Sequence, residues 1–201
     1  MNRQEPFDSP ESPLRPRATA LLPRIEEIIL HEGFSRLTVS ELAERLSCSK
    51  RTIYEIAPSK NALVLNVLRE FFARIRSDAD AAAALRDAPA ESLHDYLQVG
   101  VRAAQRLSQE TVTDIRRWAP AFSVWKDHVG LRVQGFCLLL ERGIHAGAFR
   151  AVRPVLVAEL VFASLSRMLE PGFYAATEIS VSEAFQEHYQ LLLAALAPGK
   201  T

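Results

Sequence analysis

From about residue 19 onward, apolar residues recur every three or four positions, the spacing of one face of an α-helix. Leu21, Leu22, Ile25, Ile28 and Ile29 make the first such stripe and predict a helix over Thr19 to Glu32, with Pro23 in or near its first turn and Gly33 just past its end. Thr38 followed by Glu41 spells a capping box, which opens a helix over Val39–Leu46 that buries Val39, Leu42, Ala43 and Leu46. Ser47-Cys48-Ser49 interrupts it, and Ser49 is a good N-cap for a helix from Lys50 to about Ile56. Pro58 disfavours helical geometry at Ala57, and Ser59 caps a long helix from Lys60 to about Ala84. Residues 20–60 thus hold three short helices, the second and third joined by a turn of about three residues, which is a helix-turn-helix outline.

Longer helical patterns follow over Glu91–Leu107, Glu110–Trp118, Ser123–Ile144, Pro154–Leu169 and Ser182–Leu196. No period-2 run bounded by hairpin turns interrupts them, so the expected fold is all-α. The last two helices carry more apolar surface than one core-facing stripe requires. Leu160, Val161, Leu165, Phe185, Leu192 and Leu196 are therefore candidates for a helix–helix dimer interface. Residues 1–18 differ: Pro6, Pro10, Pro13 and Pro16 stand among mixed charges and predict a disordered arm. The longest apolar runs, Phe136–Leu140 and Leu191–Ala197, fall far short of the roughly 20 residues that cross a bilayer.

Composition narrows the function classes. The 201 residues are 48% hydrophobic, enough for a substantial core. Lys+Arg and Asp+Glu balance at 24 each, which argues against bulk charge-driven nucleic-acid binding and leaves room for a local basic patch. The two cysteines, Cys48 and Cys137, fit no metal or disulfide spacing and read as small buried hydrophobes. A polar, proline-rich N-terminus without an apolar segment is no secretory signal, and a soluble cytoplasmic protein is expected. No GxGxxG, Walker A, HExxH or GxSxG motif occurs, and Glu91-x-x-His94 has no second copy to complete a di-metal bundle. The expectation is no enzyme, no metal and no cofactor.

The segment around the short helices resembles the DNA-binding domain of the TetR family of bacterial transcriptional regulators. Gly33-Phe34, Thr38-Val39, Leu42-Ala43, Ser49-Lys50-Arg51-Thr52-Ile53-Tyr54 and Ser59-Lys60-Asn61-Ala62-Leu63 carry the resemblance, which covers about a quarter of the chain over residues 20–66. The sequence departs from the family at Ser47 and Arg51, where glycine is common, and at Ile56-Ala57. After the proline-rich arm (1–18), the resemblance implies a DNA-binding domain (19–66) and a helical ligand-binding and dimerisation domain (67–201). It also implies a homodimer on double-stranded operator DNA, repression rather than activation, and a small-molecule effector in the C-terminal bundle.

Each residue type fits a task in that picture. Lys50 and Arg51 are long donors at the start of the recognition helix, and Arg51 can pair bidentately with guanine. Thr52 can donate to a base or phosphate, Ser49 caps the helix, and Tyr54 resembles the family's phosphate-contacting tyrosine. Thr38 and Lys60 stand at helix N-termini, where backbone N–H groups favour phosphate. Ile53 is buried scaffold. In the second half Tyr96, Trp118, Phe122, Trp125, His128 and Phe136 are the candidate lining of an apolar effector pocket, with Pro120 at its mouth. The competing reading is an all-helical ligand-binding or scaffold protein without DNA binding. Lys50, Arg51, Tyr54 and Lys60 argue against it.

Overall fold

The structure, a computed structural model, describes residues 16–198 except Pro171, without the side chains of Pro16, Arg17 and Phe162. The expected arm therefore lies outside the described residues up to its last few. There α1 (Pro16–Thr19) forms a helical turn against the helix over Lys50–Ile56 and buries Ala18. The described residues contain helices and no strands.

Three short helices build the N-terminal part: α2 (Leu22–Glu32), α3 (Val39–Arg45) and α4 (Lys50–Ile56). Pro23 sits in the first turn of α2, where a missing N–H costs little. The Thr38–Glu41 capping box forms in full, with Glu41 N donating to Thr38 Oγ1 and Thr38 N donating to Glu41 Oε2. Ser49 and Ser59 accept from Thr52 N and Ala62 N, as their positions predict. Ser47, between α3 and α4, adopts a left-handed φ of 51°, the conformation that explains why glycine is common there in the resembled family.

The long helix α5 (Lys60–Ala84) belongs to both halves. Leu63, Val64 and Leu68 are buried toward the short helices, and Phe71, Phe72, Ile75 and Ala79 toward the bundle. The bundle adds α6 (Pro89–Ala104), α7 (Gln109–Arg117), α8 (Ala119–His145), α9 (Pro154–Met168), α10 (Phe173–Thr177) and α11 (Val181–Leu196). Pro120 does not merely stop α7. It lies in the first turn of α8, so that helix begins four residues earlier than its apolar pattern indicates. The short α10 carries no periodic apolar signal and is absent from the sequence reading.

The two halves are joined tightly at the end of α2. Gly33 leaves the helix with φ 80° and ψ −179°, a region open almost only to glycine. The same tight corner lets α7 approach: a Cβ on Gly33 would stand 2.8 Å from Asp114 Oδ2. Asp114 Oδ2 accepts from the N–H groups of Phe34 and Ser35, both at 2.7 Å. The last carbonyls of α2 also find partners on the bundle side. Ser108 N donates to Leu30 O at 2.9 Å, and the fully buried Thr111 hydroxyl lies 2.8–2.9 Å from Ile29 O and Leu30 O. Trp118 meets Phe34 edge-on at 5.8 Å between ring centres. The buried Glu26 of α2 accepts from Arg74 of α5 and from Arg106 between α6 and α7.

Candidate functional site

The recognition helix α4 has two unlike faces. Ile53 is buried, as expected of scaffold, whereas Ser49, Lys50, Arg51 and Tyr54 are exposed, Tyr54 by 51%. Lys50 and Tyr54 are one turn apart on the outer face, and Thr52 is half-buried with its hydroxyl 2.9 Å from that of Ser49. Arg51 Nε approaches Glu55 Oε1 at 3.6 Å while its side chain remains 85% exposed, so the pair is loose. Between residues 22 and 67 there are six basic and six acidic side chains, so net charge supplies no attraction for DNA. What favours it is the placement of free cations: Arg45 is paired with Glu32, while Lys50 and Arg36 have no ion pair among the described residues.

Lys60 has a different task from the one its position suggested. Its Nζ donates to the carbonyls of Phe34 (3.0 Å), Ser35 (3.2 Å) and Leu37 (2.8 Å), using all three ammonium protons on the loop that precedes Thr38. Lys60 thus ties the start of α5 to the entrance of α3. Thr38 itself is exposed, with its side chain in the capping box, and the hydrogen bonds from Thr38 hold the Glu41 carboxyl below its ordinary range.

A second candidate site lies inside the bundle, between α5, α6, α8, α9 and α11. It is a narrow cavity with about 780 Å³ of atom-free space, part of it continuous with solvent. Of the six predicted lining residues, Tyr96, Trp125, His128 and Phe136 line it. Trp118 and Phe122 do not. Trp118 is drawn to Phe34 at the junction of the two halves. Phe122 stacks on Trp125 at 5.3 Å and faces a smaller void beside Ile115 and Leu169. The sequence reading missed Phe72, Arg132 and Tyr189 in the wall. His128 stacks on Phe72 at 4.7 Å, and burial, reinforced by Arg132 and Arg76, pushes its pKa down to about 3. Burial pushes the Tyr96 phenol up to about 12.

The expected dimer residues divide. Leu160 is exposed by 63%, and Phe185 and Leu192 are half-buried. Val161, Leu165 and Leu196 point inward, and the first two help to line the cavity. Helical spacing explains the split, because adjacent residues 160 and 161 cannot share a face. The outward apolar residues of this region are Val155, Leu156 and Leu160 on α9, Leu191 on α11 and Leu138 on α8. Leu191 was missed because the run from 191 to 193 is apolar throughout and gives no clue to which residue faces out.

No curated protein sequence matches the chain. Residues 22–67 match the sequence profile of bacterial regulatory proteins of the tetR family. Solved structures align along nearly the whole chain. A transcriptional regulator from Saccharomonospora viridis, in complex with choline, is 17% identical over 90% of this chain and 98% of its own, with a TM-score of 0.71. The regulator FadR from Bacillus subtilis, in complex with stearoyl-CoA, is 14% identical over 89% and 98%, with a TM-score of 0.68. The ketosteroid transcriptional regulator KstR2 of Mycobacterium tuberculosis is 18% identical over 91% and 96%, with a TM-score of 0.63. Residues 22–67 are thus a helix-turn-helix domain of the TetR family by sequence, and the chain as a whole has the fold of these regulators.

Proposed function

We propose that the protein is a cytoplasmic transcriptional repressor that binds a palindromic DNA operator as a homodimer and is released by an apolar or aromatic small molecule in its helical bundle. The observation that carries the DNA reading is the division of α4: Lys50, Arg51 and Tyr54 stand outward while Ile53 anchors the helix to the core. Lys50 and Arg51 lie at the N-terminal end, which in a helix-turn-helix meets the base edges. Tyr54 and Thr38 serve as phosphate contacts, Ser49 and Thr52 set the start of the helix, and Lys60 positions the loop before Thr38.

Homodimerisation is supported by the outward leucines of α9 and α11, since an apolar face of that kind is best satisfied by a second copy. A two-fold axis there would present two recognition helices to successive major grooves, about 34–36 Å apart. Effector binding is supported by the cavity, and solved relatives in complex with stearoyl-CoA and with choline hold ligands of quite different chemistry. Release follows if the ligand favours a dimer shape that fits DNA poorly. The contacts of α7 with the end of α2 give a packed route from bundle to reader.

Sedimentation of the purified chain and a gel shift with DNA upstream of its own gene test this reading. A dimer that retards the fragment at low salt supports it. A strict monomer, or a protein that retards no fragment, contradicts it.

A further inference from the structure

The cavity wall is almost wholly apolar, yet Arg132 stands in it. Its guanidinium carbon lies 4.0 Å from the centre of the Tyr96 ring, and Nη2 donates to the Tyr96 carbonyl at 3.0 Å. The Tyr96 hydroxyl in turn donates to the Arg132 carbonyl at 2.7 Å. The Tyr189 hydroxyl stands beside the same guanidinium. Arg132 Nη1, by contrast, is buried and has no hydrogen-bond partner among the described residues.

No carboxylate among the described residues pairs with Arg132, nor with the neighbouring Arg76, whose Nη1 lies 3.4 Å from His128 Nδ1. His128 supplies no negative charge in either protonation state, and its lowered pKa of about 3 keeps it neutral at pH 7. Asp80, whose charge reaches Tyr96, is exposed on α5 and bonds neither arginine. Arg132 as a whole is half-buried, but its buried Nη1 is an idle donor, and folded proteins rarely leave a buried polar atom unpaired without a reason. The site is therefore one positive head, held by its contacts with Tyr96, at the edge of an apolar chamber.

We infer that this chamber takes an amphipathic carboxylate, its hydrocarbon body among Phe72, Trp125 and Phe136 and its carboxylate against the guanidinium of Arg132. The open Nη1 can donate a charge-assisted hydrogen bond to one carboxylate oxygen. A phosphate dianion is the poorer match, since it would set three oxygens against one open nitrogen and an otherwise apolar wall. The inference rests on the bundle being the effector chamber, and it chooses the ligand's chemistry from this chain's own residues rather than from the ligands of its relatives.

Titration of the purified full-length chain with octanoate, octanol and octylamine at neutral pH, read by calorimetry, tests it. Octanoate is expected to bind at least about tenfold more tightly than octanol, with octylamine weakest. Arg132→Met should bring octanoate to within about threefold of octanol, with octanol still bound, which reports a chamber that remains open. Arg132→Lys should keep part of the preference. Octanol binding as tightly as octanoate, no binding of any of the three, or a preference that survives in Arg132→Met would overturn the inference. If Arg132→Met fails to fold, the wild-type ranking alone decides. DNA retention by the ligand-free protein is scored separately, so a chain that holds its operator yet ranks octanol with octanoate contradicts this inference and leaves the regulator reading standing.

Discussion

The reader and the bundle satisfy their polar groups in different ways. In the reader the caps close over three residues: Thr38 with Glu41, Ser49 with Thr52, Ser59 with Ala62. The bundle caps α7 and α11 in the same way, at Ser108 and Ser180, but around its cavity the polar contacts cross 36 residues from Tyr96 to Arg132 and 52 from Arg76 to His128, and one nitrogen of Arg132 has no partner among the described residues. A surface that meets a regular, invariant partner can be built from local code. A chamber that meets a particular small molecule is assembled from distant helices and keeps its spare donor inside.

The largest expected effect lies where the two regions join. Gly33→Ala forces a side chain into a glycine-only conformation and into Asp114, and should cost about 3 kcal/mol or more in urea denaturation. A cost below about 1 kcal/mol would mean that reader and bundle are joined more loosely than the packing of α7 on α2 implies.

Next in size is an acid sensitivity confined to the chamber. Burial, with Arg132 and Arg76 adding to it, holds the His128 pKa at about 3 in the folded chain, against an ordinary value of 6.5. Below pH 6.5 the unfolded chain takes up a proton that the folded chain refuses, so stability falls as pH falls. The loss approaches about 1.4 kcal/mol per pH unit between 6.5 and 3, or about 2 kcal/mol by pH 5. His128→Phe, which can keep the stack on Phe72, should flatten that slope in denaturation curves at several pH values. An unchanged slope would assign the acid sensitivity elsewhere, with His188, also lowered by burial, the first alternative.

The smallest effect belongs to the reader. Ser47→Gly removes the strain of a left-handed serine and should raise stability by up to about 1 kcal/mol without altering DNA preference.

The same contrast explains what the sequence made legible. The capping box at Thr38, the serine caps, Pro23 and the inward Ile53 are statements about neighbours three or four residues apart, and the structure agrees with each. The bonds of Lys60 to the carbonyls of residues 34, 35 and 37 were not legible, because these partners lie more than twenty positions away and have no side-chain signature. Trp118 and Phe122 were grouped with Trp125 because all three flank Pro120, yet the turn there sends Trp118 to the reader. Arg132 went unnoticed because an arginine on a long helix reads as solvated until α6 and α11 close over it. Val161 and Leu160 are indistinguishable as letters and are separated only by the packing of α9.

Selection of DNA from a random-sequence pool by the wild-type chain and by Arg51→Ala tests the central claim most directly. The account predicts that the wild type enriches a two-fold-symmetric sequence with half-sites about one helical turn apart, and that Arg51→Ala enriches the same frame with preference relaxed at one base position in each half. A pool left unenriched by the wild type would contradict the account, and an unchanged preference in Arg51→Ala would remove that arginine from base reading.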